Sequence, residues 1–163
     1  MSELEITRVD PLDGPVRALV ERHLTFGRSF TPPEDAHALE VDELRDPAIV
    51  LFAARDGEEV LGVGAIKEID HGHGELKTMH TAEAARGRGV GRAMLRHLLA
   101  EARRRGYRQV SLETGSMDAF APARALYEGA GFAPCAPFAD YRQGCHSVYL
   151  TIALDGDPAS PET

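Results

Sequence analysis

At 163 residues the chain has the length of one domain and can bury a core, and 43% hydrophobic with 27% charged residues is ordinary for a globular protein. A formal net charge of −8 argues against a general nucleic-acid binder, since affinity for a polyanion comes from neutralising its phosphates. No run approaches the roughly 20 apolar residues of a membrane span, and the start Met1-Ser2-Glu3-Leu4-Glu5 lacks a secretory signal's basic and apolar stretches. Neither nucleic acid nor membrane is therefore expected as a partner, and a cytoplasmic location follows. Cys135 and Cys145 lack Cys-x-x-Cys spacing and are read as free thiols.

Residues 4–9 are a short candidate strand. After Pro11 and Gly14, residues 16–26 place Val16, Leu19, Val20, His23 and Leu24 at helical spacing, with Gly27 and Pro32-Pro33 expected to end the helix. Residues 36–45 suggest a second short helix closed by Asp46-Pro47. Two apolar runs, 49–54 and 60–69, flank Asp56-Gly57 and predict an antiparallel hairpin. His71-Gly72-His73-Gly74 reads as a turn before a third strand over 75–81. Residues 89–105 carry the best helical stripe (Val90, Met94, Leu95, Leu98, Leu99 and Ala102), stopped by Gly106. A strand over 109–114, a helix over 120–130 and two last strands, 132–138 and 147–154, complete the pattern. A strand–helix–strand unit in the middle implies one parallel crossover inside a mostly antiparallel sheet. The expectation is a single α/β domain over residues 1–154, a mixed sheet with helices on both faces, and a disordered tail over 155–163.

The segment Arg86-Gly87-Arg88-Gly89-Val90-Gly91-Arg92 lies between a strand and a long helix. Alternate glycines let the backbone approach a ligand without a Cβ in the way. A helix start leaves its first four N–H groups unpartnered and partly positive, which makes a cradle suited to a pyrophosphate. The same stretch opens a local basic zone on an acidic chain, because eight of the 18 basic residues fall between Arg86 and Arg108. A P-loop is excluded, because Arg92-Ala93 follow Gly91 where that motif needs Lys-Ser/Thr. The dinucleotide fingerprint Gly-x-Gly-x-x-Gly has a different spacing.

Together with Ala123-Arg124-Ala125-Leu126-Tyr127 and Gly131-Phe132 farther along, this segment resembles the GNAT superfamily of acyl-CoA-dependent N-acetyltransferases, and residues 4–154 fit that family's layout. Phe120 departs from the pattern, since many members carry Asn three residues before the alanine of the second block. The resemblance implies a GNAT-like central sheet of six or seven strands and acetyl-CoA as co-substrate. The implied cofactor contacts are the backbone of Met79, His80 and Thr81 along the pantetheine arm and Arg86, Gly87, Arg88, Gly89, Val90, Gly91 and Arg92 around the pyrophosphate. It implies that Tyr127, also beside the cofactor, protonates the departing thiolate, and that a strand N–H holds the oxyanion. A homodimer is expected by family habit alone.

An amine must lose a proton before it attacks, so a base is useful. Some family members carry a glutamate where Glu75 stands. Strict alternation would put Glu75 on one face with Lys77, Met79 and Thr81, and His80 on the other. Glu113, an acid inside an apolar strand, is the second candidate, because such a side chain seldom sits there without a partner. Phe138, Tyr141 and His146 are candidates for the acceptor pocket, which the helical region around 19–44 and the loop over 139–146 are expected to shape. Of His71, His73 and His80, the first two lie in a His-Gly-His-Gly turn with no third ligand at recognisable spacing and the last is read as structural, so no metal is expected. The sequence thus reads as an N-acetyltransferase for a primary amine of a small molecule or peptide, with a catalytically silent acyl-CoA-binding module as the alternative. The acidic overall charge favours a cationic acceptor such as a polyamine, aminoglycoside or amino acid.

Overall fold

The computed structural model of the chain describes residues 4–35 and 39–154. The expected tail and residues 36–38 of the expected second helix lie outside the described residues; among the described residues nearby, the 3-10 turns Pro33–Asp35 and Glu43–Arg45 form. In chain order the elements are β1 (Glu5–Arg8), α1 (Gly14–Phe30), β2 (Ile49–Asp56), β3 (Glu59–Asp70), β4 (His73–Thr81), α2 (Val90–Arg104), β5 (Gln109–Gly115), α3 (Ala121–Gly129), β6 (Ala133–Pro134) and β7 (Ser147–Ala153). The strands form one sheet in the order β1-β2-β3-β4-β5-β7-β6. Every pair is antiparallel except β4 with β5, which are joined by the α2 crossover.

β2 is an almost unbroken apolar run because both its faces are covered. Val50, Phe52 and Ala54 point to the α2 side, while Ile49, Leu51 and Ala53 point to the α1 side. The α2 stripe read from the sequence is buried throughout, and Val16, Leu19, Val20 and Leu24 bury one face of α1. Helix α2 can approach because β3 offers Gly62 and Gly64 there. A Cβ on Gly62 would lie 2.8 Å from Val90 Cγ1, and one on Gly64 2.7 Å from Met94 Cγ. Among the described residues no helix is long and apolar enough to cross a membrane.

Three expected boundaries are corrected. Helix α1 runs through Gly27 to Phe30, because the i,i+4 rings of Phe26 and Phe30 pack at a tilt with centroids 5.1 Å apart and outweigh one glycine's cost. β4 begins at His73 rather than Glu75, so the turn is only His71-Gly72. The expected strand over 132–138 shrinks to Ala133–Pro134, since Pro134 and Pro137 have no N–H to continue the ladder.

Two features of β4 give the molecule its cleft and set the side chains that face it. The strand pairs with β5 only over His73–Glu75 against Gln109–Ser111, and beyond that point the two part. It also carries a bulge, because Val63 pairs with His80 and Ala65 with Lys77, so the single residue Gly64 faces both Thr78 and Met79. Thr78 sits at φ 53°, a left-handed conformation unusual for a β-branched side chain.

Candidate active site

The parting of β4 and β5 opens a cleft of about 800 Å³, lined from β4 by Glu75 through Thr81 and from β5 by Leu112 through Gly115. At its far end lies the glycine segment. Gly87 and Gly89 have φ 80° and 81°, and no atom lies within 4 Å of where a Cβ would be. Gly89 caps α2 without a side-chain hydrogen bond, and the first turn of the helix contains no acidic residue. The Ala93 amide bonds to the Gly89 carbonyl at 3.0 Å, so the amides of Val90, Gly91 and Arg92 have no acceptor within the helix. Arg86, Gly87, Gly89, Val90 and Gly91 line the cleft, whereas Arg88 and Arg92 do not. The Arg88 guanidinium pairs with Asp56 at 3.6 Å on the surface. The cradle is thus open, uncapped and cationic at one arginine, which fits a diphosphate ester.

Helix α3 brings Tyr127 to the cleft wall. Arg124 anchors this helix to the end of β5 by donating from Nη1 to the carbonyls of Gly115 (2.7 Å) and Met117 (2.9 Å). Tyr127 is 6% exposed and packs edge-to-face on Phe132 at 5.8 Å. Burial pushes its hydroxyl well above the ordinary tyrosine range, and the charge of Glu113 adds to the effect. Glu113 also lines the cleft. Burial raises its carboxyl to about 7, against the Ser147 hydrogen bond and the Lys77 charge that favour ionisation.

Glu75 is 3% exposed and stands in the last β4–β5 pair, opposite Ser111, where the strands begin to part. Its Oε2 accepts from Lys77 Nζ at 2.9 Å and from the Tyr141 hydroxyl at 2.5 Å, and Lys77 also donates to Tyr141 Oη at 2.8 Å. Burial and the nearby Glu75 charge both keep the Tyr141 phenol protonated. Of the three residues expected from the last turn, only Tyr141 reaches the cleft. Phe138 packs behind it against Tyr149, and the half-buried His146 lies beside Cys145, away from the cleft lining.

The bulge overturns strict alternation along β4. Past Thr78 the faces exchange. Met79 packs with the α2-side core, while His80 joins the α1 side, where its Nδ1 lies 3.2 Å from that of His23. Burial holds both imidazoles down at about 4. The His80 charge adds for His23, and Arg86 and Arg22 add for His80. His73 instead bonds Ser111 Oγ at 2.7 Å. Among the described residues no three His, Cys, Asp or Glu side chains are grouped to hold a metal ion.

Residues 17–132 match the family model described as the acetyltransferase (GNAT) family. The chain belongs to the GNAT family. It is 46% identical over 148 residues to the uncharacterized N-acetyltransferase YsnE of Bacillus subtilis, covering 90% of this chain and 98% of that protein. It is 36% identical over 155 residues to the IAA acetyltransferase of Azospirillum brasilense, covering 94% and 100%. A solved Klebsiella pneumoniae structure assigned as an acyl-CoA N-acyltransferase superposes with a TM-score of 0.76 at 28% identity, covering 93% of this chain and 98% of that one. As a GNAT protein the chain has two blocks legible in its sequence, the glycine cradle and the Leu126-Tyr127 helix, and both lie on one cleft. The contribution of α1 is legible as a region, since residues around 19–44 are expected to shape the acceptor site, but not as particular side chains. His23 and Phe26 line the cleft, and their only signal in the sequence is that aromatic side chains occupy positions next to an otherwise aliphatic stripe.

Proposed function

We propose that the protein transfers an acetyl group from acetyl-CoA to the primary amine of a small molecule, with both reactants bound together. The observation that carries this reading is the meeting, on one cleft, of an uncapped glycine cradle, an unpaired β4 edge, a buried tyrosine and two carboxyl groups. Acetyl-CoA, when bound, supplies the thioester carbon that the amine attacks.

The chain's own residues divide the remaining work. Amides of Arg88 through Arg92, with the Arg86 charge, hold the diphosphate at the helix start. The free backbone edge of Met79, His80 and Thr81 takes the pantetheine arm as an added strand, and its N–H groups are the donors available to an oxyanion. Tyr127, kept protonated by its burial, gives its proton to the leaving thiolate. A carboxylate receives the amine's proton. Glu75 stands at the apex with one oxygen already accepting two hydrogen bonds, whereas Glu113 faces the cleft with a carboxyl that titrates near neutrality. That contrast favours Glu113 as the acceptor of the proton and gives Glu75 the task of fixing Lys77 and Tyr141. Most of the acceleration comes from holding the two reactants in line.

The test is thiol release from acetyl-CoA across a panel of amines. Amine-dependent release is expected, with Tyr127→Phe lowering kcat by roughly 100-fold while the KM for acetyl-CoA changes little. Tight coenzyme A binding with no turnover for any amine would contradict it in favour of a silent acyl-CoA-binding module.

A further inference from the structure

On the α1 side the cleft has a wall of rings that neither core cluster absorbs. Phe26 stands at its centre, with ring centroids 5.3 Å from Phe120, 6.2 Å from His80 and 5.1 Å from Phe30, while His23 lies 5.2 Å from His80. His23, Phe26, His80 and Phe120 all line the cleft and are only half-buried. They come from three separate parts of the chain, α1, β4 and the turn before α3, so no one element's packing explains their meeting. The wall is also fixed in place. The Phe120 ring lies on the backbone of Gly115, where a Cβ would approach Phe120 Cδ2 to 2.3 Å, and the Phe26 ring crosses it edge-on. Burial keeps both imidazoles of the wall neutral at physiological pH.

The charges around this wall leave room for one ammonium group. Glu75 and Glu113 are the only carboxylates lining the cleft among the described residues, and Lys77 balances Glu75 at 2.9 Å. The other charged residues on the lining are Arg86 and Arg28, and Arg28 is already paired with Glu40 at 3.0 Å on the exposed side. A polyamine or aminoglycoside would find aromatic faces, Arg86 and a carboxylate already paired with Lys77 where its further ammonium groups need carboxylates. The local electrostatics therefore narrow the cationic acceptor suggested by the chain's overall charge of −8 to one with a single ammonium group.

We propose that the acceptor is a monoamine carrying a flat aromatic group, its ring against Phe26, Phe120 and His80 and its nitrogen directed to the Glu75–Glu113 end of the cleft. This rests on the acetyl-transfer reading and names the substrate class for it. Aromatic contact gives such a ring an advantage that an alkyl chain lacks.

The experiment compares phenethylamine, propylamine and spermidine, with kcat/KM read by thiol release and binding to the coenzyme A-saturated protein read by calorimetry. Phenethylamine should exceed spermidine by roughly tenfold or more in kcat/KM. Phe26→Ala should raise the KM for phenethylamine by roughly tenfold, leave propylamine and the coenzyme A Kd unchanged, and be partly rescued by Phe26→Leu. Turnover with spermidine equal to or better than phenethylamine, or an equal loss for all three amines in Phe26→Ala, overturns the proposal. Saturable phenethylamine binding that Phe26→Ala abolishes, without acetyl transfer, would support the aromatic site and count against the transferase reading alone.

Discussion

Glu113 sits in the middle of an apolar strand with its carboxyl held near 7 by burial, which gives it a pH signature distinct from that of any surface acid. As a base it must be ionised, so kcat/KM falls as pH drops through about 7, and Glu113→Gln should remove that bend and lower kcat by roughly 100-fold, measured as a pH–rate profile. The paired histidines act on stability instead. In the unfolded chain they take up protons near 6.5, whereas in the fold they stay neutral until about 4. Between those values the unfolded chain binds more protons, so stability is present above about pH 6.5 and declines as pH falls toward about 4. The urea midpoint should therefore fall between about pH 7 and about pH 5, and the double variant His23→Phe, His80→Phe should flatten that dependence. At this scale Tyr127 and the glycines were legible, because their chemistry is written in short local blocks. The partnership of His23 with His80 was not, since those residues are 57 positions apart and meet only through tertiary packing.

β4 shows where element-level reading fails. Its hydrophobic pattern announces a strand, but period-two counting assumes an unbroken ladder, and the two-for-one pairing at Thr78–Met79 moves every later side chain to the opposite face. Nothing local in Lys77-Thr78-Met79 marks the bulge; the left-handed φ at Thr78 is imposed by the surrounding sheet. The matching signal lies on the neighbouring strand, where Gly62 and Gly64 clear space for α2. Adding a methyl group there should be costly. Gly64→Ala would bring its Cβ to 2.7 Å from Met94 and 2.9 Å from Leu98, so a loss of about 1–3 kcal/mol is expected by urea denaturation. Helix α1 outran its glycine and β6 fell short of its pattern for complementary reasons. A ring contact one turn apart rewarded one more turn, and missing proline N–H groups ended a ladder.

Across the whole molecule, the sequence cluster of arginines is not one patch. Arg86 is at the cradle, while Arg103–Arg105 lie at the other end of α2, about 20 Å away for 15 residues of helix, with Arg104 and Arg105 paired to Glu101. That distance exceeds the screening length in physiological salt, so replacing Arg103, Arg104 and Arg105 with Gln should change coenzyme A affinity by less than about twofold. The mixed sheet was legible as a whole because each strand and helix has its own period, and one crossover fixes the parallel pair. The cleft was not, because it depends on where β4 and β5 stop pairing, a matter of long-range register. The central proposal is that the open start of α2 grips a diphosphate. Calorimetry comparing coenzyme A with pantetheine, which lacks the nucleotide and both bridging phosphates, tests this most directly. Coenzyme A should bind at least about 100-fold more tightly, roughly 2.7 kcal/mol; equal affinity for the two, or no heat with coenzyme A, would contradict it.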